Sequence, residues 1–275
     1  MSHRTSRRAF LTGAGAFGAL AVAAPAYLAG SASAATTVKV YVTGDSTAST
    51  YPKSSAPRTG WGQALPVFLT SAAAVVNHAQ SGASSKSFVD SGLLAPVLSA
   101  ITTGDILLIS FGHNDEKTDD PARYTDPATT FKTYLSKFVD GATAKGAVPV
   151  LVTPVERRRF NSAGQAVTSH GAYPGAMREL AASKGVALID LSASSLALWN
   201  SLGVEGTKNC FLFLDAGESS NYPDGVEDNT HFQAHGAIEV ARLVATAMNS
   251  QKILPTADFQ RLTTASIPDS LIVWP

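Results

Sequence analysis

Short apolar runs alternate with longer amphipathic segments along most of this chain. The runs are apolar on nearly every residue, which is typical of strands that are covered on both faces of a sheet. They span residues 38–43, 75–79, 105–111, 147–153 and 186–191. Between and after them, apolar positions recur at helical spacing, which predicts helices. The predicted helices span residues 62–71, 85–101, 127–145, 172–184 and 234–249.

The alternation of strands and helices indicates parallel βαβ units. We therefore expect an α/β fold, a three-layer α/β/α sandwich with a five-stranded parallel sheet in flavodoxin-like order. Residues 202–229 show no clear periodicity, so this segment is predicted to be rich in loops. In a sheet of this type, ligands bind beyond the carboxyl ends of the strands, and chemistry is expected there.

The N-terminal segment has the features of an export signal. Arg7 and Arg8 form a twin-arginine pattern, a Gly- and Ala-rich apolar stretch follows, and residues 32–34 read Ala-Ser-Ala, a cleavage site. A transmembrane anchor is the alternative, but the apolar stretch is short and rich in small residues. We expect residues 1–34 to be cleaved as a twin-arginine signal peptide, and the mature protein to be extracellular. Residues 35–250 then form one domain, and residues 251–275 a C-terminal extension packed on it.

Composition narrows the class of protein. Of the 275 residues, 45% are hydrophobic and 15% charged, which suits a folded domain with a buried core rather than a disordered chain. Basic and acidic residues are equal in number, at 21 each, which argues against a dedicated nucleic-acid binder. Cys210 is the only cysteine, so an internal disulfide is excluded. Its apolar neighbours favour a buried small residue over a reactive thiol.

A serine, a histidine and an aspartate occur in short polar motifs. Ser46 ends a Gly-Asp-Ser sequence directly after the first predicted strand, and Asp228 precedes His231 by three residues. A serine hydroxyl needs a neighbouring base to act as a nucleophile, and histidine with an orienting carboxylate supplies one. Each motif alone is common in turns, caps and surfaces. Together they indicate acyl-transfer chemistry.

Candidate donors for an oxyanion follow the same strands. They are the backbone N–H of Ser46, the backbone N–H of Gly82 after the second strand, and the side-chain amide of Asn114 after the third. Preorganised donors of this kind stabilise the tetrahedral oxyanion of ester hydrolysis. Taken singly, Gly82 is equally well a turn glycine and Asn114 a helix cap. Their order along the chain is what favours an oxyanion hole.

The order of these blocks resembles the SGNH (GDSL-type) hydrolase superfamily, and more narrowly the rhamnogalacturonan acetylesterases of carbohydrate esterase family twelve. The likeness covers about residues 38–249 and is carried by Gly44-Asp45-Ser46-Thr47, Asn77-His78-Ala79 with Gly82, Phe111-Gly112-His113-Asn114-Asp115, residues 149–160 and Asp228-Asn229-Thr230-His231-Phe232. It implies a secreted serine esterase that removes O-acetyl groups from plant cell-wall polysaccharide, above all rhamnogalacturonan. Ser46 would be the nucleophile, His231 the general base and then acid, and Asp228 the orienting carboxylate. The oxyanion hole would comprise Ser46, Gly82 and Asn114.

Arg157, Arg158 and Arg159 follow the fourth strand and are candidate contacts to the carboxylates of pectin, with a solvated loop as the alternative. His231 and His235 are four residues apart, which on a helix would suit a metal pair. We expect neither a metal nor any other cofactor, because His231 is better employed as a base.

The expected partner is an acetylated polysaccharide or oligosaccharide. We expect a monomer that binds no nucleic acid and, after signal cleavage, no membrane. Two alternatives remain: a lipase or thioesterase with the same machinery, which a broad apolar acyl pocket would favour, and a non-catalytic sugar-binding protein.

Overall fold

The computed structural model describes residues 37–275. The predicted signal peptide, with its cleavage site, lies outside the described residues. Among the helices of residues 37–275, none has the length and apolar character needed to cross a membrane.

Eight strands and seven α-helices make up the described chain. The strands are β1 (Val38–Gly44), β2 (Arg58–Thr59), β3 (Ala73–Asn77), β4 (Ile106–Ser110), β5 (Val148–Val152), β6 (Ala187–Ile189), β7 (Phe211–Leu214) and β8 (Val226–Gln233). The helices are α1 (Trp61–Ala64), α2 (Ser85–Asp90), α3 (Leu94–Ala100), α4 (Thr130–Ala144), α5 (Tyr173–Lys184), α6 (Leu191–Gly206) and α7 (Ala234–Ser250).

The central sheet has five strands in the order β3-β1-β4-β5-β6. Every neighbouring pair is parallel. This arrangement confirms the predicted α/β fold with a five-stranded parallel sheet, and the order is the flavodoxin-like one. The carboxyl ends of β1, β3, β4 and β5 therefore meet at one edge of the sheet.

Both faces of the sheet are buried, which explains why its strands are apolar on nearly every residue. On β4, Ile106 and Leu108 belong to the core that the sheet shares with α7. The intervening Leu107 and Ile109 belong to a second core, formed with α4 and α5. Successive side chains of a strand point to opposite faces, so covering both faces requires an uninterrupted apolar run.

Several elements differ from the predictions. The helix expected over residues 62–71 is the single turn α1 followed by a 3₁₀ turn (Leu65–Phe68) with a proline near its start. The helix expected over 85–101 divides into α2 and α3 around Gly92, which has a φ of 77° that ends a helix. The segment 202–229, predicted to be rich in loops, has a loop over residues 215–225, but it also holds the end of α6, strand β7 and the start of β8, which were not predicted.

A second, three-stranded antiparallel sheet lies beside the first, in the order β2-β8-β7. The C-terminal segment 251–275 contacts the part of the chain around β2. The Gln260 N–H donates to the Phe68 carbonyl (2.9 Å), and the Trp274 indole donates to the Arg58 carbonyl in β2 (3.1 Å). The Lys53 N–H donates to the Pro275 carbonyl (3.1 Å). These contacts tie the segment to β2 and to the residues on either side of it. The boundary of the extension at residue 251 stays a prediction.

Helix α7 approaches the start of β7 so closely that only glycine fits at the contact. A Cβ added to Gly236 would lie 1.9 Å from the Cys210 carbonyl oxygen, and backbone cannot move away as a side chain can. We expect Gly236→Ala to lower the free energy of unfolding by about 1–3 kcal/mol, the usual cost of overpacking. Urea unfolding measures this change.

The matched control is Gly175→Ala in α5, where a Cβ meets nothing within 4 Å. Removing a helix-interior glycine raises stability by about 0.5–1 kcal/mol. Equal effects of the two substitutions would contradict the close approach at Gly236.

Candidate active site

Ser46 sits in a tight turn at the carboxyl end of β1. The buried carboxylate of Asp45 accepts hydrogen bonds from the Thr47 N–H (2.9 Å) and hydroxyl (2.7 Å). On the other side, the Tyr51 hydroxyl donates to the Ser46 carbonyl (2.7 Å). Burial raises the pKa of Asp45, although the bonds from Thr47 oppose that rise. The turn is thus held from both sides, which fixes the direction of the serine hydroxyl.

The structure brings Ser46, His231 and Asp228 together in one hydrogen-bonded chain. His231 Nδ1 lies 2.6 Å from Asp228 Oδ2, and His231 Nε2 lies 2.9 Å from Ser46 Oγ. A carboxylate only accepts, so the proton of the neutral ring is on Nδ1 and Nε2 is free to accept the serine proton. A metal pair with His235 would require both histidines to lie on one helix. His231 instead lies on strand β8, and both of its ring nitrogens already contact protein atoms.

A bulge in β8 makes this pairing possible. Phe232 pairs with Phe211, but the next residue of β7, Leu212, pairs with Asp228, so residues 229–231 are extra on the β8 side. In a regular strand, residues three apart point to opposite faces. Here Asp228 Oδ1 accepts the N–H groups of Thr230 (2.8 Å) and His231 (3.0 Å), which folds the bulge around the carboxylate.

Asp228 is ionised across the neutral range. Partial burial acts to raise the pKa of this carboxyl, but the hydrogen bond and charge of His231 and the N–H groups of His231 and Thr230 outweigh burial and lower the pKa to about 2. An ionised Asp228 fixes the ring tautomer and stabilises the imidazolium form of His231.

Donors for an oxyanion face the same cleft. Within residues 37–275, the N–H groups of Ser46 and Gly82 have no hydrogen-bond acceptor. The Asn114 amide donates one hydrogen to the Ala83 carbonyl (2.9 Å), which leaves its second hydrogen available. Gly82 has a φ of 81°, a conformation that glycine adopts without strain. Ser46, Gly82, Asn114 and His231 all line one cleft of about 380 Å³.

Asp115, the neighbour of Asn114, anchors the loop after β4. Its buried carboxylate accepts the Ser85 N–H (3.1 Å) and hydroxyl (2.5 Å) and the Thr125 hydroxyl (3.0 Å). Burial raises the pKa of Asp115 to about 7 despite these bonds. The Tyr173 hydroxyl donates to the Asp115 carbonyl (2.9 Å). The loop that presents Asn114 is therefore held at several points.

The three arginines predicted as substrate contacts have different surroundings. Arg157 lines the cleft, whereas Arg158 and Arg159 are absent from its lining. Arg159 is exposed to solvent. The structure therefore brings one of the three to the cleft and leaves two outside it.

Arg158 is committed to the bulge of β8. Its N–H donates to the Asn229 carbonyl (2.9 Å), and its guanidinium donates to the Asn229 side chain (3.1 Å). The same guanidinium donates to the Thr207 hydroxyl (3.1 Å) and the Val204 carbonyl (2.7 Å). It also lies over the ring of Phe213, 4.9 Å from its centroid. The structure therefore gives no support to the substrate contact expected for Arg158, because the residue lies outside the cleft and three of its five guanidinium N–H groups are bonded inside the protein.

Arg157 belongs to a buried network under the cleft. It pairs with Glu116 (2.5 Å), which also contacts His170 Nδ1 (3.1 Å). His170 Nε2 lies 2.9 Å from the Val155 carbonyl oxygen, so both ring nitrogens of His170 contact oxygen atoms. The ring of His113 packs edge-on against His170. Burial, followed by the charges of His170 and Arg157, holds the pKa of His113 well below its usual value, so His113 is neutral.

Sequence reasoning missed three cationic residues of the cleft lining: Arg58, Lys117 and Arg123. Arg58 comes from the two-residue strand β2, which has no periodicity to reveal it. Lys117 is three residues after Asn114, and that proximity was a usable signal. Arg123 lies in a loop, and its guanidinium is 3.4 Å from the Gly82 carbonyl, a contact that no local pattern predicts.

The flavodoxin-like sheet and the cleft at its edge define the class of protein as an ester hydrolase fold. Residues 42–237 match the family model described as the GDSL-like Lipase/Acylhydrolase family. The chain is 47% identical over 208 residues to "Rhamnogalacturonan acetylesterase RhgT" of Bacillus subtilis (strain 168), an alignment that covers 76% of this chain and 88% of that protein.

Solved structures with a similar fold agree with this assignment. The Bacillus subtilis protein YxiM superposes with a TM-score of 0.66 at 29% identity, covering 78% of this chain and 57% of that one. Axe2, an acetylxylan esterase from Geobacillus stearothermophilus, has a TM-score of 0.52 at 15% identity, covering 78% and 94%, which supports the fold alone.

The chain belongs to the GDSL-like lipase/acylhydrolase family, which confirms the resemblance seen in the sequence. It is therefore a carboxylic ester hydrolase.

Arg158 offers a test of how the bulge is held. We expect Arg158→Gln to lower kcat for p-nitrophenyl acetate by about tenfold, because loss of the bonds to Asn229 frees the bulge that aligns Asp228 with His231, and small misplacements of catalytic groups are costly. KM should change little, since this small ester does not reach Arg158.

The control is Arg159→Gln, which removes the same charge from the exposed neighbouring side chain and is expected to leave turnover of this probe within twofold. Equal kcat values for the two variants would argue against a positioning role of Arg158.

Proposed function

We propose that this chain is a secreted serine acetylesterase that removes O-acetyl groups from rhamnogalacturonan-type pectin. The observation that carries the proposal is the hydrogen-bonded chain from Ser46 Oγ through His231 to Asp228, with unsatisfied amide donors beside it. The relative RhgT, at 47% identity, is named a rhamnogalacturonan acetylesterase, which supports the choice of acyl group and polymer.

The proposed reaction begins when Ser46 Oγ attacks the acetyl carbonyl carbon and His231 Nε2 takes the hydroxyl proton. The oxyanion that forms accepts hydrogen bonds from the N–H groups of Ser46 and Gly82 and from the Asn114 amide. As the tetrahedral intermediate collapses, the sugar oxygen leaves with the proton from His231, and an acetyl-serine remains.

Water completes the cycle. His231 removes a proton from a water molecule, whose oxygen attacks the acetyl-serine carbonyl. The second tetrahedral intermediate collapses when His231 returns that proton to Ser46 Oγ, and acetic acid is released. Asp228 stays ionised throughout and stabilises the imidazolium in both halves. The scheme uses no cofactor.

The lining of the cleft favours a sugar ester over a fatty acyl ester. As far as residues 37–275 form it, the lining consists of polar, cationic and glycine residues: Ser46, Arg58, Ser81, Gly82, His113, Asn114, Lys117, Arg123, Arg157, Thr230 and His231. A lipase or long-chain thioesterase needs an apolar surface for its acyl chain, and a small acetyl group does not. A pure sugar-binding module would have no use for the aligned Ser46 and His231.

Export remains part of the proposal. The twin-arginine pattern and the Ala-Ser-Ala site at residues 32–34 support an extracellular protein that meets its polymer outside the cell, and we propose that it acts as a monomer. The expected mature protein begins at residue 35.

Ser46→Ala is expected to abolish fluorophosphonate labelling. It should also abolish turnover of p-nitrophenyl acetate, apart from the small residual activity that binding and the oxyanion hole alone supply.

Asn114→Ala should keep the labelling site but lower turnover by about 10²–10³-fold, the usual effect of removing one oxyanion donor. Labelling and initial rates measure both. Ser54→Ala, an exposed serine, is the control. Labelling of Ser46→Ala at the wild-type level would exclude Ser46 as the nucleophile.

Substrate choice is tested by acetate release from a panel of acetylated rhamnogalacturonan, acetylated xylan and short-chain lipid esters. We expect the highest kcat/KM on rhamnogalacturonan, because the cleft is polar and cationic. A preference for acyl chains of eight or more carbons would replace the acetylesterase proposal by the lipase alternative.

A further inference from the structure

The cleft around Ser46 carries an excess of positive charge. Four cationic side chains line it: Arg58, Lys117, Arg123 and Arg157. Within the described residues, the lining includes no carboxylate. Like charges gathered in one cleft raise its potential and attract anions.

Two of these cations already have carboxylate partners. Arg157 pairs with Glu116 (2.5 Å), and Arg123 pairs with Asp120 (2.5 Å). Arg58 and Lys117 form no ion pair with any residue of the described chain. The positive charge that is left for a ligand therefore belongs to Arg58 and Lys117.

Arg58 is held beside the nucleophile. Its guanidinium lies over the ring of Tyr51, 4.5 Å from the centroid, and the hydroxyl of the same ring donates to the Ser46 carbonyl (2.7 Å). Its backbone pairs with Gln233 of β8, the strand that carries His231. Its Nε is buried and has no hydrogen-bond partner among residues 37–275. A planar guanidinium held over an aromatic ring is preorganised for a carboxylate, which it can bind with two parallel bonds.

Lys117 approaches the cleft from the oxyanion side. Its N–H donates to the Asn114 carbonyl (3.3 Å), so it follows the loop that presents the Asn114 amide. Its half-buried side chain lines the cleft. One unpaired cation thus lies next to the nucleophile and the other next to an oxyanion donor.

We infer that Arg58 and Lys117 form a subsite for the carboxylate of a uronosyl unit in the substrate chain, at or next to the acetylated sugar. The inference rests on the proposed acetylesterase function and names the residues that distinguish an anionic from a neutral sugar ester. A carboxylate offers these cations a charged acceptor and offsets one of their two positive charges, whereas the hydroxymethyl group of a neutral sugar offers only a weaker, uncharged acceptor.

The test compares the binding of trigalacturonate with that of the same trisaccharide whose carboxylates are reduced to hydroxymethyl groups. Isothermal titration calorimetry at low ionic strength measures both on the full chain without any turnover. We expect wild type to bind trigalacturonate about tenfold or more tightly than the reduced form, as two charge-assisted contacts imply. This preference should fall as salt is added.

Arg58→Gln and Lys117→Gln should each weaken trigalacturonate binding by about five- to tenfold and leave binding of the reduced trisaccharide unchanged. Arg58→Lys keeps the charge and should retain part of the affinity, which separates a lost charge from a damaged fold. Lys145→Gln removes one exposed charge at the opposite edge of the sheet and should not alter either affinity.

The subsite is overturned if wild type binds both trisaccharides equally or neither, or if both glutamine variants bind trigalacturonate as wild type does. The proposed function fails differently, through the absence of acetate release from acetylated rhamnogalacturonan. Calorimetry separates the two failures, because it reports carboxylate binding even in a protein that releases no acetate.

Discussion

The hydrogen bond between Ser46 Oγ and His231 Nε2 joins the two sheets of the protein. Ser46 belongs to the parallel sheet through β1, and His231 belongs to the antiparallel sheet through β8. The site therefore depends on how rigidly the small sheet is held against the large one. Phe232, next to His231, is fully buried in the core that also contains α7. Arg158 supports the adjacent bulge from the far side. The alignment of Ser46 with His231 therefore depends on packing in the hydrophobic core.

The parallel sheet and its loops could be predicted because their signals are local. Burial on both faces demands apolar residues throughout a strand, so β1, β3, β4 and β5 stand out in the sequence. Parallel connections then force Ser46, Gly82 and Asn114 to one edge, whatever the details of the helices between them. The prediction of these positions rests on topology, which tolerates errors in the ends of individual elements. The helix predicted over residues 85–101 is broken at Gly92, and α1 is shorter than predicted. Neither difference changes which loops lie at this edge of the sheet.

The antiparallel sheet was not predicted, because only β7, with its apolar Phe211-Leu212-Phe213-Leu214 run, carries such a signal, and its two partner strands do not. β2 has two residues, and β8 carries the polar sequence Glu227-Asp228-Asn229-Thr230 at its centre. A bulge interrupts the alternation of β8. Helix α6 was missed although Asp190 caps it, its side chain accepting the Ala193 N–H. The roles of the arginines were equally hidden, since side-chain direction and distant partners such as Asn229 decide them.

The arginines show that the partners of a cationic side chain, rather than its position in the sequence, decide whether it is available to bind a substrate. For Arg158 to bind a substrate, it would have to give up several internal bonds, and the bulge with Asp228 would lose its support. Arg157 would have to give up its ion pair with Glu116, a half-buried carboxylate that would then keep only its contact with His170, and breaking such a pair is costly. Arg58 and Lys117 have no such partner to lose within residues 37–275. A ligand carboxylate can bind them without any ion pair of the described protein being broken, so the cost of binding is limited to desolvation and to the ordering of the two side chains. Charges left unpaired beside a nucleophile destabilise the free protein slightly, and their retention is best explained by a ligand that neutralises them.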